Sequence, residues 1–88
     1  MLNSKRSEIE IIGQILDIAK EGAQKVDIYY DANLSYKQLS YYIPGLIEKD
    51  LLEIKPNSHG NNSDKIYNTT KKGNELLKNI NKVSSFLK

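Results

Sequence analysis

The chain has 88 residues, a formal net charge of +2 at pH 7, no cysteine and one histidine. This length predicts one domain, whose folding buries roughly 60–65% of the surface of the extended chain. The lack of cysteine excludes disulfides and thiolate metal sites, and His59 alone would need carboxylate or partner-chain ligands to hold zinc. We therefore expect no metal and no other cofactor. No long apolar run opens the sequence, so we also expect no signal peptide, no membrane span and a cytoplasmic location.

The charges are distributed unevenly along the chain. Residues 1–54 carry six Lys or Arg against nine Asp or Glu, whereas residues 55–88 carry seven Lys against two acidic residues. A basic C-terminal part can steer a polyanion to one face of a protein. Lysines of this number also simply solvate a long helix, and charge alone leaves both interpretations open.

The first predicted helix begins with a capping box, in which Ser7 and Glu10 satisfy each other's backbone amides. Apolar residues from Ile9 onwards recur at helical spacing, which predicts a buried stripe, and Gly22 supplies the left-handed residue that ends many helices. These signals predict a scaffold helix over residues 7–21. Gly13 within it costs helix stability and indicates a close neighbour at that point.

Two short segments flank this helix. Residues 1–6 are polar and are predicted to fray, with Arg6 as part of a small basic tip. Residues 23–26 are too few for a helix and are predicted to form a brief edge strand.

Residues 27–50 form the central pattern of the chain, two helices joined by a tight turn. Asp27 is predicted to cap the first of them. Asn33 tolerates the positive φ that such a turn commonly needs, and Ser35 is placed to cap the second helix, predicted over residues 35–49. The arrangement is that of a helix-turn-helix whose second helix is the probe.

The predicted probe helix has one apolar face and one polar face. Pro44 lies in its interior and removes a backbone hydrogen bond, which predicts a kink or a second short helix that begins there. Tyr36 and Tyr42 lie at the boundary between the faces and are interpreted as core or rim residues. The outward face carries Lys37, Gln38, Ser40 and Tyr41.

A β-hairpin is predicted after the helix-turn-helix. Residues 52–56 and 65–69 alternate between apolar and polar side chains, as half-buried strands do. The residues between them are all loop formers and include no apolar anchor. The tip of this hairpin, residues 55–65, would form a wing.

The last predicted helix covers residues 71–87 and is capped by Thr69 or Thr70. Its apolar residues are separated by four, three and four positions, which is the seam of a short coiled coil. Packing against the first helix would explain the same pattern. A helix of about 17 residues spans roughly 25 Å, close to the width of the domain, so we favour pairing with a second chain. The predicted interface consists of Leu76, Leu77, Ile80, Val83 and Leu87.

Three separate blocks of the sequence, residues 32–39, 46–52 and 67–73, resemble the archaeal winged helix-turn-helix family. This family includes small dimeric chromosomal proteins whose C-terminal helices pair as an antiparallel coiled coil. The resemblance covers residues 5–77. It implies an α+β fold, a winged helix-turn-helix of three helices plus a β-hairpin wing, followed by a long C-terminal dimerisation helix.

The resemblance also implies a function, double-stranded DNA binding without catalysis by a homodimeric transcription regulator or a nucleoid-associated architectural protein. Residues 1–69 would form the DNA-binding domain and residues 70–88 the dimerisation helix. Recognition helix 35–49 would enter the major groove, and the wing, residues 55–65, would contact the backbone or the minor groove. Asp50 stands where such proteins usually have glycine. The candidate DNA-binding residues are Ser35, Tyr36, Lys37, Gln38, Ser40, Tyr41, Lys55, His59 and Lys65.

Several candidates have both a functional and a plain interpretation. Gln38 pairs well with adenine and Lys37 reaches guanine or phosphate, yet both also suit a solvated outward face. His59 is most simply a solvated loop residue. Lys71 and Lys72 oppose the dipole of the last helix, a weak hint of phosphate binding.

Two other classes of function were weighed against DNA binding. The sequence has no glycine-rich phosphate loop and no catalytic motif that pairs a nucleophile with its one histidine, so we expect no enzyme activity. A winged-helix module that binds another protein is the alternative. The near-neutral charge and the cluster of tyrosines favour it, because tyrosine is enriched at protein interfaces.

Overall fold

The computed structural model describes residues 6–56 and 65–87, which form a winged helix. This confirms the predicted α+β fold with its β-hairpin and long last helix. The predicted tip of the wing, with His59, lies outside the described residues. The elements in chain order are α1 (Glu8–Ile18), a 3-10 turn (Ala19–Glu21), α2 (Lys25–Asp31), α3 (Tyr36–Glu48), β1 (Leu52–Pro56), β2 (Lys65–Thr69) and α4 (Lys71–Leu87).

The capping box predicted at the start of α1 is present. The Ser7 amide donates to Glu10 Oε1 at 2.7 Å, and the Glu10 amide donates to Ser7 Oγ at 3.1 Å. Hydrogen bonds to the carboxylate from the Ser7 backbone amide, and secondarily from the Ser7 side chain, hold the pKa of Glu10 below its ordinary value. The helix passes into the 3-10 turn and stops at Gly22, whose φ of 96° is the left-handed conformation predicted there.

The predictions around α2 need two corrections. The helix begins at Lys25, and Asp27 is its third residue rather than its cap. The Asp27 carboxylate reaches back to the Gln24 amide at 3.1 Å, which satisfies a free N–H and lets the helix start earlier. The predicted edge strand is reduced to a single pairing, in which Ala23 exchanges two backbone hydrogen bonds with Tyr67 at 3.0 and 2.7 Å.

Both helices of the helix-turn-helix end in the same motif. Asn33 after α2 and Asp50 after α3 have φ values of 52° and 61°. The amide of the next residue then bonds back across the last turn, from Leu34 to Tyr29 O at 3.1 Å and from Leu51 to Leu46 O at 2.9 Å. These are Schellman motifs, which usually place glycine at the left-handed position. Asn33 has the predicted turn conformation, and Asp50 holds the position expected for glycine.

Helix α3 is one continuous helix of 13 residues through Pro44. The prediction of a second short helix starting at Pro44 is therefore wrong. Pro44 removes the partner of the Ser40 carbonyl, but both residues are exposed. Water can satisfy that carbonyl, and the core contacts on the opposite face hold the helix together across the proline.

The core lies between the four α-helices and the base of the hairpin. Its four largest fully buried side chains are Ile15, Leu16, Ile28 and Leu52. The two strands pair antiparallel, with Leu52 opposite Thr69. Thr69 also donates its hydroxyl to the Leu16 carbonyl at 2.6 Å, which fastens the base of the hairpin to α1.

A tight joint connects the end of α3 to the start of α4. The Thr70 hydroxyl caps α4 by accepting from the Gly73 amide at 2.9 Å, and it donates to the Asp50 carbonyl at 2.7 Å. A Cβ on Gly73 would overlap the Leu51 carbonyl oxygen and lie 2.7 Å from Thr69 Cγ2. The backbone of α4 therefore approaches the chain after α3 as closely as a glycine allows. We refer to this contact between Asp50, Leu51, Thr70 and Gly73 as the α3–α4 joint.

Candidate nucleic-acid interface

The outer face of α3 consists of exposed side chains from its first three turns: Tyr36, Lys37, Ser40, Tyr41 and Pro44. Tyr36 and Tyr41 are 75% and 67% exposed. Tyr36 is thus neither a core nor a rim residue, because it is the first residue of the helix and extends past the body. Tyr42 is half-buried and packs against the core, as predicted. Ser35 caps the helix, accepting from the Gln38 amide at 3.0 Å.

Tyr41 lies against Tyr42 and takes a fixed place on this face. Their rings meet edge to face, with centroids 5.0 Å apart and planes 83° apart. Burial raises the pKa of Tyr42, and the nearby Glu8 carboxylate adds to the effect. Lys37, Tyr41 and Pro44 follow one another at helical spacing, so they form a line along α3 about 10 Å long.

Gln38 has a structural partner that the sequence analysis did not predict. Its side-chain Oε1 accepts from the Ser35 amide at 2.9 Å and completes a capping box at the start of α3. The side chain is half-buried rather than fully outward. A bidentate contact with adenine needs both the oxygen and the amide nitrogen of the carboxamide, and here the oxygen is already engaged.

Arg6 fastens the segment before α1 to the helix-turn-helix. Its guanidinium donates to the Ala32 carbonyl at 2.5 Å, to the Asn33 carbonyl at 2.7 Å and to Gln14 Oε1. The expectation that Arg6 belongs to a frayed basic tip is therefore wrong. A planar fork of donors suits these carbonyls at the end of α2, where positive charge is also favoured by the helix dipole. Arg6 thus helps to fix the turn that leads into α3.

The hairpin places two of the predicted cations at neighbouring pairs of its register, with their side chains on opposite faces of the sheet. Lys65 lies opposite Pro56, one pair beyond Lys55 in the register of the strands. Both lysines are exposed, and Lys55 Nζ is 3.7 Å from a Glu53 carboxylate oxygen. An exposed pair of this kind is worth little, so Lys55 remains able to contact another anion.

Lys72 has a partner within the chain. Its Nζ donates to the Lys49 carbonyl at 3.0 Å, where α3 ends. A cation is favoured at the C-terminus of a helix, and this contact explains why a lysine is present in the first turn of α4. Lys71 is exposed.

The predicted dimer residues divide along α4. Leu77 is only 5% exposed and belongs to the core of its own chain, so it is not accessible to a partner, and this corrects its assignment to the interface. Leu76 and Ile80 are half-buried, whereas Val83 and Leu87 are 57% and 81% exposed. Burial within the chain therefore decreases along α4, from Leu77 in the core to Leu87 at the exposed end.

An apolar groove of about 640 Å³ runs between the start of α1 and the second half of α4. Leu76, Ile80, Val83 and Leu87 line it from α4, and Ile9 lines it from α1. Ile9 is 55% exposed, and Phe86 beyond the groove is 82% exposed. Gly13 lies nearby, where a Cβ would be 3.2 Å from Ile80 Cγ2, which confirms the close neighbour predicted for it.

Within residues 6–56 and 65–87, no group of three or more His, Cys, Asp or Glu is arranged to hold a metal ion. Over the same residues, no helix is both long enough and apolar enough to span a membrane.

A family model described as winged helix-turn-helix matches residues 5–88. The chain belongs to the winged helix-turn-helix family. An archaeal relative, the uncharacterized protein MJ0287 of Methanocaldococcus jannaschii, is 46% identical over 50 residues, which are 56% of this chain and 52% of that protein. The matched region therefore spans about half the length of this curated relative.

Solved structures with the same winged helix-turn-helix fold include two proteins described as binding or bound to DNA. Sso10a-2, a DNA-binding protein from Sulfolobus solfataricus, has a TM-score of 0.80 at 26% identity, over 92% of this chain and 81% of that chain. A MepR variant of S. aureus, bound to an oligodeoxyribonucleotide, has a TM-score of 0.73 at 15% identity, over 90% and 56%. The second likeness shows the fold alone.

The contacts or exposure of three residues in this winged helix-turn-helix were not predicted from the sequence. Arg6 has no signal in its neighbourhood, because its partners lie 26 and 27 positions away. Phe86 follows Val83 by three positions, so helical spacing could have added it to the exposed stripe. Ile9 was assigned to the buried stripe of α1, although it is exposed beside α4.

Proposed function

We propose that this protein binds double-stranded DNA without catalysis and inserts the N-terminal half of α3 into the major groove. The observation that carries the proposal is the outer face of α3, a capped and exposed helix start in a winged helix-turn-helix. Such a helix fits the major groove, and its N-terminal residues reach base edges. DNA binding by Sso10a-2, which shares this fold at 26% identity, supports the same role.

The contacts that we propose separate into two kinds. Lys37, Ser35 and the free amides at the start of α3 suit phosphate, as do the hairpin lysines Lys55 and Lys65. Tyr36, Ser40 and Tyr41 suit base edges or the sugar–phosphate backbone. Gln38 supports the helix start through its capping bond at 2.9 Å. His59 keeps only its sequence-based assignment to the wing.

We propose further that the protein is a homodimer paired through the second half of α4. The exposed stripe of Val83, Phe86 and Leu87 continues into the groove beside Ile9, and an apolar patch of this kind marks an interface. A second copy of the chain is the proposed occupant, because a symmetric pair lays two identical stripes against each other. A dimeric DNA-binding protein of this kind acts as a transcription regulator or as an architectural protein of the nucleoid.

The DNA-binding proposal is tested by fluorescence anisotropy with duplex DNA over a series of salt concentrations. Binding should weaken steeply with salt, and Lys37→Ala or Lys55→Ala should each reduce the slope of log K against log [salt] by about 1. Lys78→Ala, which removes one exposed charge from α4, is the matched control and should leave the slope unchanged. The absence of duplex binding at micromolar protein and low salt would refute the proposal.

The dimer proposal is tested by light scattering, which should give about twice the chain mass of 10.0 kDa. Val83→Asp with Leu87→Asp places charge on the stripe and should give a folded monomer. Ser85→Asp adds a charge on the opposite side of α4 and should leave the dimer intact. A monomeric wild-type protein at high concentration would rule out this mode of pairing.

A protein-binding winged helix is the second candidate function. Tyr30, Tyr36 and Tyr41 are all exposed by more than half, and exposed tyrosines are enriched at protein interfaces. Glu48 and Asp50 also place acidic charge at the end of α3. Capture of a single partner that survives nuclease treatment, together with no duplex binding, would favour this function over the first.

A further inference from the structure

We infer that the outer face of α3 recognises thymine through its methyl group, so that the duplexes bound best carry A·T pairs where α3 lies. This inference rests on the proposed function and specifies the DNA that it takes. Three of the five side chains on the face, Tyr36, Tyr41 and Pro44, present apolar surface. Thymine is the base whose major-groove edge offers an apolar group, its C5-methyl.

Few side chains on this helix are suited to bind bases other than thymine. Guanine is usually bound by the paired donors of arginine, and α3 contains no arginine. Adenine is usually bound by Asn or Gln, but the Oε1 of Gln38 already accepts the Ser35 amide at 2.9 Å. Lys37 remains as a single cation, which serves phosphate as well as guanine. The face is therefore poor in paired hydrogen-bonding groups and rich in apolar surface.

The geometry of the face suits contact with successive bases. Tyr41 and Pro44 are three residues apart on one side of the helix, about 4.5 Å along its axis, close to the 3.4 Å rise of DNA. The edge-to-face contact with Tyr42 holds the Tyr41 ring in place, so little side-chain freedom is lost on binding. A positioned ring beside a rigid proline forms a shallow apolar surface of the size of one or two methyl groups.

Charge limits how much of α3 enters the groove. Lys37 and the unpaired amides of the first turn attract phosphate at one end of the helix. Glu48 lies further along the same side and is exposed, so it repels phosphate at the other end. The two effects bring the N-terminal turns, with Tyr36 and Tyr41, closer to the DNA than the C-terminal turn of α3.

The experiment replaces thymine by uracil in duplexes of about 24 base pairs, roughly two turns of DNA. This change removes the C5-methyl group and keeps every hydrogen-bonding group of the base pair. Affinity of the wild-type protein for an alternating A·T duplex should fall about fourfold for each methyl group contacted. A G·C duplex of equal length, measured at the same salt, reports binding that does not depend on thymine.

Variants assign the effect to α3. The double variant Tyr36→Ser with Tyr41→Ser keeps Pro44 and should lose most of the preference for thymine over uracil duplexes. Tyr30→Ser removes an equally exposed tyrosine, 71% accessible, from α2 and should retain the preference for thymine. Thermal melting checks that each variant folds, which these exposed positions permit.

The outcomes distinguish this inference from the function on which it rests. Equal affinity of the wild-type protein for thymine and uracil duplexes overturns the inference and leaves DNA binding standing. A full preference for thymine in the double variant overturns the assignment to α3. Failure to bind the A·T, the A·U and the G·C duplex alike overturns the proposed function itself.

Discussion

The two ends of α4 differ in how strongly they pack against the rest of the chain. At the first turn, the α3–α4 joint ties the helix to the rest of the chain, and Leu77 completes the core one turn later. Beyond Ile80, every described residue of α4 is exposed, with Phe86 and Leu87 accessible by 82% and 81%. The first end of α4 is thus held by packing within the chain. The apolar side chains at its second end remain exposed among the described residues. The apolar spacing is the same along both, so spacing alone does not separate folding from assembly.

The largest effect is expected at the held end, for Gly73→Ala. The added methyl group would overlap the Leu51 carbonyl oxygen, so the free energy of unfolding should fall by about 3 kcal/mol. Gly45→Ala in α3 is the matched control, because a Cβ there meets nothing within 4 Å. It should raise the free energy of unfolding by about 0.5–1 kcal/mol through helix propensity. Urea titrations measure both, and equal effects of the two substitutions would contradict the close approach at Gly73.

The second prediction compares two leucines of α4 ten positions apart. Leu77→Ala should lower the free energy of unfolding by about 2–3 kcal/mol, because it opens a cavity in the core. Leu87→Ala should change it by less than about 0.5 kcal/mol, because that side chain is exposed within the chain. Urea titrations at low protein concentration, where pairing of chains does not contribute, provide the measurement. A large loss for Leu87 would mean that the second half of α4 is covered within its own chain.

The smallest effect is expected at Asp50, on the α3 side of the joint. Asp50→Gly removes a Cβ from a left-handed residue with φ of 61° and should raise the free energy of unfolding by about 0.5–1 kcal/mol. Asn33→Gly is the comparison at the other Schellman motif and should gain less, because asparagine tolerates this conformation better. Thermal melting of both variants gives the difference. A loss of stability at Asp50 would show that its side chain contributes more than its backbone strain costs.

Much of the fold was predictable because capping residues and loop-forming residues mark the ends of each helix and strand. The strands 52–56 and 65–69 and the helix 71–87 agree with the structure residue for residue. Loop formers isolate the strands, and a threonine caps the helix. Asn33 likewise predicted its own left-handed turn. These signals act within a few residues, so the sequence displays them directly.

The predictions that failed concern residues whose partners lie far away in the sequence, or residues that could take either of two local positions. Arg6 was predicted to belong to a frayed basic tip and Lys72 gave a weak hint of phosphate binding, yet each donates to backbone carbonyls more than 20 positions away. Asp27 was assigned as a cap because its residue type favours that position, but it serves equally well as the third residue of a capping box. Leu77 satisfied the seam pattern and the core pattern at once.

The candidate site was predictable in outline and not in its details. The outward positions Lys37, Ser40 and Tyr41 follow from the helical period and are exposed as expected. Tyr36 is 75% exposed, although the helical period alone places it at the boundary between the two faces of α3. Gln38 points back to its own cap, because the serine before the helix offers an amide at the right distance.

The α3–α4 joint has a further consequence for a paired protein on DNA. Helix-turn-helix dimers present their two probe helices about one turn of the duplex apart, roughly 34 Å, or a multiple of that distance. In the proposed dimer, this separation depends on the angle between α3, which contacts the bases, and α4, which pairs with the second chain. A glycine contact and a shared threonine hydroxyl set that angle and leave no room for adjustment. In such a dimer, the spacing of half-sites along the DNA would therefore depend on Gly73, although this residue lies on neither the outer face of α3 nor the exposed stripe of α4.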